Sequence, residues 1–371
     1  MKLSDYIIDD NLSYHINDKR ETATCELQPV HVHGDVKFSE KFEFDKLTKK
    51  NLSYLKSDLL SFKKCLLFGR SIVVDIEKNE IVSSSILNGR FFCEKKWLDV
   101  EKKGFDFSVK LIANSSVAVS EELQNKRCAF MLGNTGSYQH WFMEILPLLA
   151  YYKELLDNKQ LDCILVNSDA PSYQLDVYKL LGVYDKIFFT DEKKVYLLNN
   201  LVIGIPLSIN SIWINPEIIK FFDWIKNRLL INHIAPETEK IIIGRADLAK
   251  KREIKNFSKI ENIALSYGYR TVYPERMSLY EKIKLFSSCK KIIGQAGGGM
   301  SHLVFSNLLE TSIMLAPNNF PINTFREICS FKNVECVYFL TESFDNFCGG
   351  KLDSNSYADL SEFNLIMKKY G

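Results

Sequence analysis

The chain lacks several common signatures, and each absence narrows what it can be. It holds nine Cys in 371 residues but no Cys-x-x-Cys pair. Such scattered thiols are expected to be reduced and packed as small apolar groups, which points to the cytoplasm. No Gly-x-x-x-x-Gly-Lys-Ser/Thr run is present, which argues against a nucleoside triphosphatase. No apolar stretch approaches the ~18 residues of a membrane span. The opening MKLSDYIIDD is acidic without an apolar centre, so no secretory signal is expected. An excess of one charge is missing too. The 48 Lys and Arg nearly balance 46 Asp and Glu, for a net charge of +2, which argues against nucleic acid as the main partner. Lys pairs such as Lys49-Lys50 and Lys102-Lys103 read as solvated faces. Peripheral contact with the inner face of a membrane is the minority reading of those pairs.

What is present is an ordinary globular composition, 46% hydrophobic and 25% charged. The length exceeds the usual size of a single core, so two domains are expected. The first hundred residues carry short β-like runs. Ser71 to Ser84 sets a Glu-Lys-Asn turn between two apolar runs, a hairpin pattern. His31-x-His33 places both rings on one strand face, read as an exposed polar face in preference to a metal pair.

From about Arg127 the pattern becomes strand and helix in alternation. Tyr138 to Leu156 reads as a helix kinked by Pro147. After a break at Ile205-Pro206 the alternation resumes, with Ser278 and Glu281 as a capping box before a helix. The fold class expected is α/β, with two doubly wound Rossmann-like domains behind a β-rich N-terminal portion. The expected boundaries are 1–205, 206–345, and a C-terminal helix in 346–371 that packs back on the first domain. Ligands in such sheets bind at the carboxyl ends of strands, and here also in the cleft between domains.

Three segments carry candidate chemistry. The turn Gly297, Gly298, Gly299, followed by Ser301 and His302, links an apolar strand to a helix. Glycines permit close backbone approach, and a helix N-terminus offers free N–H groups to a phosphate. The bland reading is a tight turn without a ligand. The spacing is a poor dinucleotide fingerprint, because His302 stands where the third Gly belongs. The second segment is the strand end Ile243-Gly244-Arg245 with Arg252 beyond it. A guanidinium there matches phosphate oxygens bidentately. The third runs from Asn134 through Tyr138, His140 and Glu144 to Pro147. His140 and Glu144 are helical neighbours. They read as a buried structural hydrogen bond or as a general base, either the His oriented by Glu or the Glu itself. Half of a metal site ranks third.

In this order the segments resemble glycosyltransferase family 61, which includes bacterial capsular-polysaccharide-type enzymes and eukaryotic xylosyl-, arabinosyl- and N-acetylglucosaminyltransferases. The resemblance rests on Asn134, His140, Glu144 and Leu146-Pro147; on Arg245, Arg252 and Asn256; on Pro274-Glu275-Arg276-Met277-Ser278; and on Gly294 to Phe305. Glu144 stands where Asp is common, and Ala296 where the Gly-rich turn commonly has His. The resemblance implies a GT-B-like fold and inverting transfer from a nucleotide-sugar without a cofactor or required metal, and a UDP-sugar is favoured as donor. The absence of any Asp-x-Asp agrees with the last point. Arg245, Arg252, Glu275, Gly297, Gly298, Gly299, Ser301 and His302 are then expected on the donor, with Glu275 on a ribose. Asn134 and Tyr138 are expected on the acceptor side, with His140 or Glu144 as base. The expected partners are a nucleotide-sugar and an oligosaccharide or lipid-linked glycan acceptor of a capsule or other surface polysaccharide; the oligomeric state is left open. The alternatives are a non-catalytic carbohydrate-assembly subunit with a degenerate donor site and, less favoured, an NAD(P)-dependent enzyme.

Overall fold

The computed structural model describes residues 22–34, 50–55, 58–68, 72–78, 80–82, 118–132, 138–191, 193–209, 213–230, 238–245, 253–318, 324–344 and 355–371. The chain divides into two units. Unit 1 comprises Met1–Ala23 and Tyr54–Ile218, and unit 2 comprises Thr24–Ser53 and Ile219–Gly371. The second unit therefore begins at Ile219 rather than at 206, and it also takes in a piece of the N-terminal region.

Unit 2 is built on a parallel sheet. Its strands lie in the order Arg270–Val272, Thr238–Ile243, Cys289–Gln295, Thr311–Pro317, Glu335–Ser343 and Val30–His33, and Ser356–Tyr357 pairs antiparallel with Glu335–Ser343. The apolar runs at the centre are buried on both faces, as a parallel sheet covered by helices requires. Alternate side chains divide between the faces. On one face Ile242, Ile293, Ile313, Leu315, Val337 and Phe339 pack with residues of helices Phe257–Ser266 and Leu360–Tyr370. On the other, Ile243 and Gly294 meet the tight helix Gly298–Phe305, through Gly299 and Met300. The helix Leu279–Ser288 starts with the expected capping box. Ser278 Oγ accepts from the Glu281 N–H, and the Glu281 carboxylate accepts from the Ser278 N–H at 2.7 Å.

Two expectations change here. The terminal helix was expected on the first domain, but Phe363, Ile366, Met367 and Tyr370 bury their side chains in the core of unit 2. The strand holding His31 and His33 was expected in the N-terminal domain, but it forms an edge of this sheet beside Glu335–Ser343. Both imidazoles lie against the Tyr370 ring, with centroids 5.6 and 5.9 Å away. They share a face, as alternation demands, and that face is an aromatic contact.

Unit 1 holds a sheet in the order Ile187–Thr190, Cys163–Asn167, Arg127–Phe130, Asn200–Gly204 and Leu59–Phe62. The first four are parallel and the last is antiparallel. A second sheet runs Glu80–Ile81, Ile72–Asp75, Cys65–Phe68, Val195–Leu198, Val119–Ser120. The expected hairpin is part of it, with Val74 opposite Ile81 and the turn held by Asp75 Oδ1, which accepts from the Glu77 N–H at 3.0 Å. Cys65, Leu67, Val73, Tyr196 and Leu198 of this sheet pack in one core with Cys128, Phe130, Leu165, Leu201 and Ile203 of the first. One face of the parallel strands is thus covered by another sheet. Unit 1 departs from a doubly wound domain because strands of the β-rich N-terminal portion, joined by Val119–Ser120 and Val195–Leu198, supply that cover. The molecule is mixed α/β, and no described helix is long and apolar enough to cross a membrane.

Candidate functional site

The candidate residues of unit 2 gather where its strand order reverses. Thr238–Ile243 lies between Arg270–Val272 and Cys289–Gln295. The chain therefore leaves two neighbouring strands in opposite directions, which opens a crevice at their carboxyl ends. Ile243 pairs with Gly294, so the two strands finish at nearly the same level. Gly244 and the exposed Arg245 follow one strand, and Ala296 to Gly299 follow the other. A third loop, Tyr273 to Arg276, follows Arg270–Val272.

Glycine is needed where these loops touch. A Cβ on Gly244 would stand 2.6 Å from the Tyr273 ring, and one on Gly299 would stand 3.3 Å from Ile243 Cγ2. A Cβ on Gly294 would collide with the Met300 sulfur. Gly297 is different: a Cβ there would meet only the Gln295 carbonyl oxygen, at 3.8 Å, so its missing side chain leaves room above the turn. The Arg276 guanidinium lies over the Tyr273 ring, 5.0 Å from its centroid. Glu275 beside it is exposed. Two cationic side chains and a glycine turn thus belong to loops in contact at one sheet edge.

His302 and Ser301 have a different setting from the one expected. His302 is 1% exposed, with its ring 5.2 Å from Phe286 and 6.4 Å from Phe305. Its Nδ1 is 2.9 Å from the Gly299 carbonyl oxygen. That oxygen only accepts, so Nδ1 carries the proton. Burial first, and then the charge of Lys282, push the imidazole down to about 3, so the ring is neutral. Ser301 is fully buried, and its Oγ has no hydrogen-bond partner among the described residues. Both side chains support the glycine turn from within the core, and neither faces solvent where a ligand would lie. Arg252 and Asn134 lie outside the described residues.

Lys282 was not singled out from the sequence. It sits in the first turns of helix Leu279–Ser288 and is 9% exposed. Its pKa is lowered, chiefly by burial, against the opposing pull of Glu275 and Glu281. The available signal was a Lys on the apolar face of a capped helix. Tyr273 was not singled out either, and Arg276 was named only within the Pro274–Ser278 motif, although both stand in a strand-end loop.

In unit 1 the segment from Tyr138 changes its winding three times. Tyr138–His140 is α-helical, Trp141–Ile145 is a wider π turn, Leu146–Leu148 is a tight 3₁₀ turn, and Leu149–Asp157 is α-helical again. Pro147 explains the change, since it has no N–H and its ring crowds the carbonyl four residues back. The wider turn is closed by the Leu146 N–H, which donates to the Trp141 carbonyl. Such π turns recur at functional sites. Tyr152 anchors the segment to the sheet: its buried hydroxyl donates to the Phe130 carbonyl at 2.8 Å and accepts from the Gly204 N–H at 2.8 Å. Those groups belong to neighbouring strands.

His140 Nδ1 lies 2.8 Å from Glu144 Oε1. The His140 side chain is 34% exposed and that of Glu144 is 8% exposed. A buried carboxylate thus fixes one ring nitrogen while part of the ring reaches solvent. That arrangement suits proton transfer and equally suits a simple structural bond. Tyr138 stacks on Phe142 with centroids 5.4 Å apart, and it meets the half-buried Tyr173 at 5.4 Å. Among the described residues no three His, Cys, Asp or Glu side chains gather as a metal ion would need.

One sequence comparison falls on the same elements. No curated protein matches the chain. A family model described as Glycosyltransferase 61 matches residues 138–314, from the start of the His140 helix to the strand after the glycine turn. Over those residues the chain matches glycosyltransferase family 61, which implies a transferase enzyme.

Proposed function

We propose that the chain transfers a sugar from a nucleotide-sugar, with UDP-sugars favoured, to a hydroxyl of an oligosaccharide or lipid-linked glycan by single inverting displacement. Capsule or another surface polysaccharide is the proposed product, and the cytoplasm, including the inner face of the membrane, the proposed place. The two units are read as the halves of a GT-B-like enzyme, with the donor on unit 2 and the acceptor on unit 1. One observation carries the reading: Arg245, the Tyr273–Arg276 loop and the Gly297–Gly299 turn share the crevice where the strand order of unit 2 reverses.

In this reading the donor diphosphate lies over Gly297, where the absent side chain leaves space. Backbone N–H groups of the turn and the Arg245 guanidinium share its negative charge as the glycosidic bond breaks. Arg252 adds a second cation, and Glu275 accepts from a ribose hydroxyl. Ser301 and His302 act indirectly by holding the turn, the latter through the Gly299 carbonyl. Fixed cations take the place of a metal ion. On unit 1, His140 or Glu144 removes the proton of the attacking hydroxyl, and Asn134 and Tyr138 position the acceptor. Glu144 orients the ring if His140 is the base.

Calorimetry of the full chain with uridine, guanosine and cytidine sugar nucleotides tests the proposal. Binding of at least one, followed by nucleoside diphosphate release and a product of inverted anomeric configuration, is expected. Binding of none would favour the alternative, a carbohydrate-assembly subunit with a degenerate donor site.

A further inference from the structure

A polar cavity of about 230 Å³ in unit 1 is lined by Asn167, Ser168, Asp169, Thr190, Asp191 and Lys193. None of these residues belongs to the site described above. The cavity lies where two adjacent parallel strands end, Cys163–Asn167 and Ile187–Thr190, with Asn167 opposite Thr190 in the register. Carboxyl strand ends are where open α/β sheets bind ligands.

The lining is held in place by its own hydrogen bonds. The Ser168 N–H donates to the Thr190 carbonyl at 3.0 Å. Thr190 Oγ1 donates to the Val166 carbonyl at 3.3 Å. The Asp191 N–H donates to the Tyr196 hydroxyl at 2.9 Å, and the Lys193 N–H donates to Asp191 Oδ1 at 2.9 Å. Asn167 and Thr190 are buried, at 2% and 1% exposure, whereas Ser168, Asp169 and Lys193 are exposed. An amide and a hydroxyl therefore form the inner wall, and charged groups stand at the opening.

Charge and size select the ligand. Two carboxylates against one ammonium leave the lining net negative, which repels phosphate. The same carboxylates accept from hydroxyl groups, and an amide both donates and accepts. Drug-sized ligands occupy roughly 300–1,000 Å³, so this cavity suits a single sugar ring better than a nucleotide. We propose that it binds one neutral, hydroxyl-bearing ring of the acceptor glycan; this assignment rests on the transferase reading above.

Saturation-transfer NMR on the full chain, with the methyl glycosides of glucose, galactose, mannose and N-acetylglucosamine as probes, tests the assignment. At least one glycoside should bind. Its affinity should fall about tenfold in Asp169→Ala, the scale of one charge-assisted hydrogen bond. Asp191→Asn, which keeps an acceptor for the Lys193 N–H, should show a similar loss with an unchanged melting temperature. Inorganic diphosphate should not displace the glycoside. The assignment is overturned if no glycoside binds the wild type, if both variants bind as well as it does, or if diphosphate competes. Nucleotide-sugar binding measured on the same samples separates the two readings. Retained donor binding with any of those three results removes the cavity alone, and absent donor binding removes the transferase reading whatever the cavity does.

Discussion

His140 in unit 1 and His302 in unit 2 both sit in apolar, aromatic sequence, yet their environments are opposite. His140 keeps a third of its side chain exposed, and a buried carboxylate grips Nδ1. His302 has no such opening; its Nδ1 proton goes to a backbone carbonyl and its ring is packed between two Phe rings. The first environment fixes one ring nitrogen on a carboxylate and leaves part of the ring open to solvent. The second excludes charge and turns the imidazole into a brace for the glycine turn. Residue type and apolar neighbours therefore do not reveal whether a His is open to acid–base work. The partner of its nitrogen and its access to solvent separate the two cases.

The largest effect should come from breaking the first environment. His140→Ala is expected to lower turnover by roughly 10²–10⁴-fold if His140 is the base, with nucleotide affinity nearly unchanged. Glu144→Gln should cost less if the carboxylate only orients the ring, and as much or more if it is the base. Turnover at saturating donor decides, and near-full activity in both folded variants would make the pair a structural bond. On the other unit, Arg245→Ala should weaken nucleotide binding by roughly 1.5–3 kcal/mol, the scale of a charge-assisted hydrogen bond. Calorimetry showing unchanged affinity would remove Arg245 from the site.

The second environment is tested through pH. The folded value of His302 is lowered from 6.5 to about 3. Between those values the unfolded chain binds a proton that the native one refuses, so native stability falls as pH drops from 6.5 towards 3. His302→Gln removes this contribution. Its urea midpoint should fall less between pH about 6.5 and 4.5 than that of the wild type. An equal fall would show that His302 is not a neutral buried group. Ser278→Ala, which removes the cap of the helix carrying Lys282, should lower stability by about 1 kcal/mol. The smallest effect expected is that of EDTA. Most activity should survive saturation with the chelator, and complete loss reversed by manganese or magnesium would overturn the metal-free mechanism.

Local order was legible in the sequence to the extent that it is local. Apolar runs marked the strands of unit 2, because a parallel sheet buries both faces of its central strands. The Ser278–Glu281 box was readable because its hydrogen bonds span three residues. The Gly-rich turn announced itself by composition, and the packing adds which glycine faces space. Pairing across long stretches of chain was not legible. Alternation at His31 and His33 indicates a strand, but nothing in those residues names Glu335–Ser343 as its neighbour. Burial of His302 was hidden for the same reason, since Phe286 belongs to another helix. The cavity around Asn167 and Thr190 escaped notice because its residues are common polar types at two strand ends, and only the register brings them together.

The edge strand Val30–His33 has a consequence for the order of events on the ribosome. It is among the first parts of unit 2 to emerge, and its neighbour Glu335–Ser343 is among the last. Gln28, just before it, is tied to Ser330 and Arg326 across some 300 positions of chain. Contacts so distant in sequence form late and slowly. The early segment therefore waits through synthesis of Tyr54–Ile218 of unit 1 and most of unit 2 before its partner strand exists. Until it docks, Glu335–Ser343 presents an open edge able to recruit another chain. A chain in which that docking fails would meet its neighbours with this edge unprotected, so the hazard in making this protein lies in a pairing that spans most of unit 1 and unit 2.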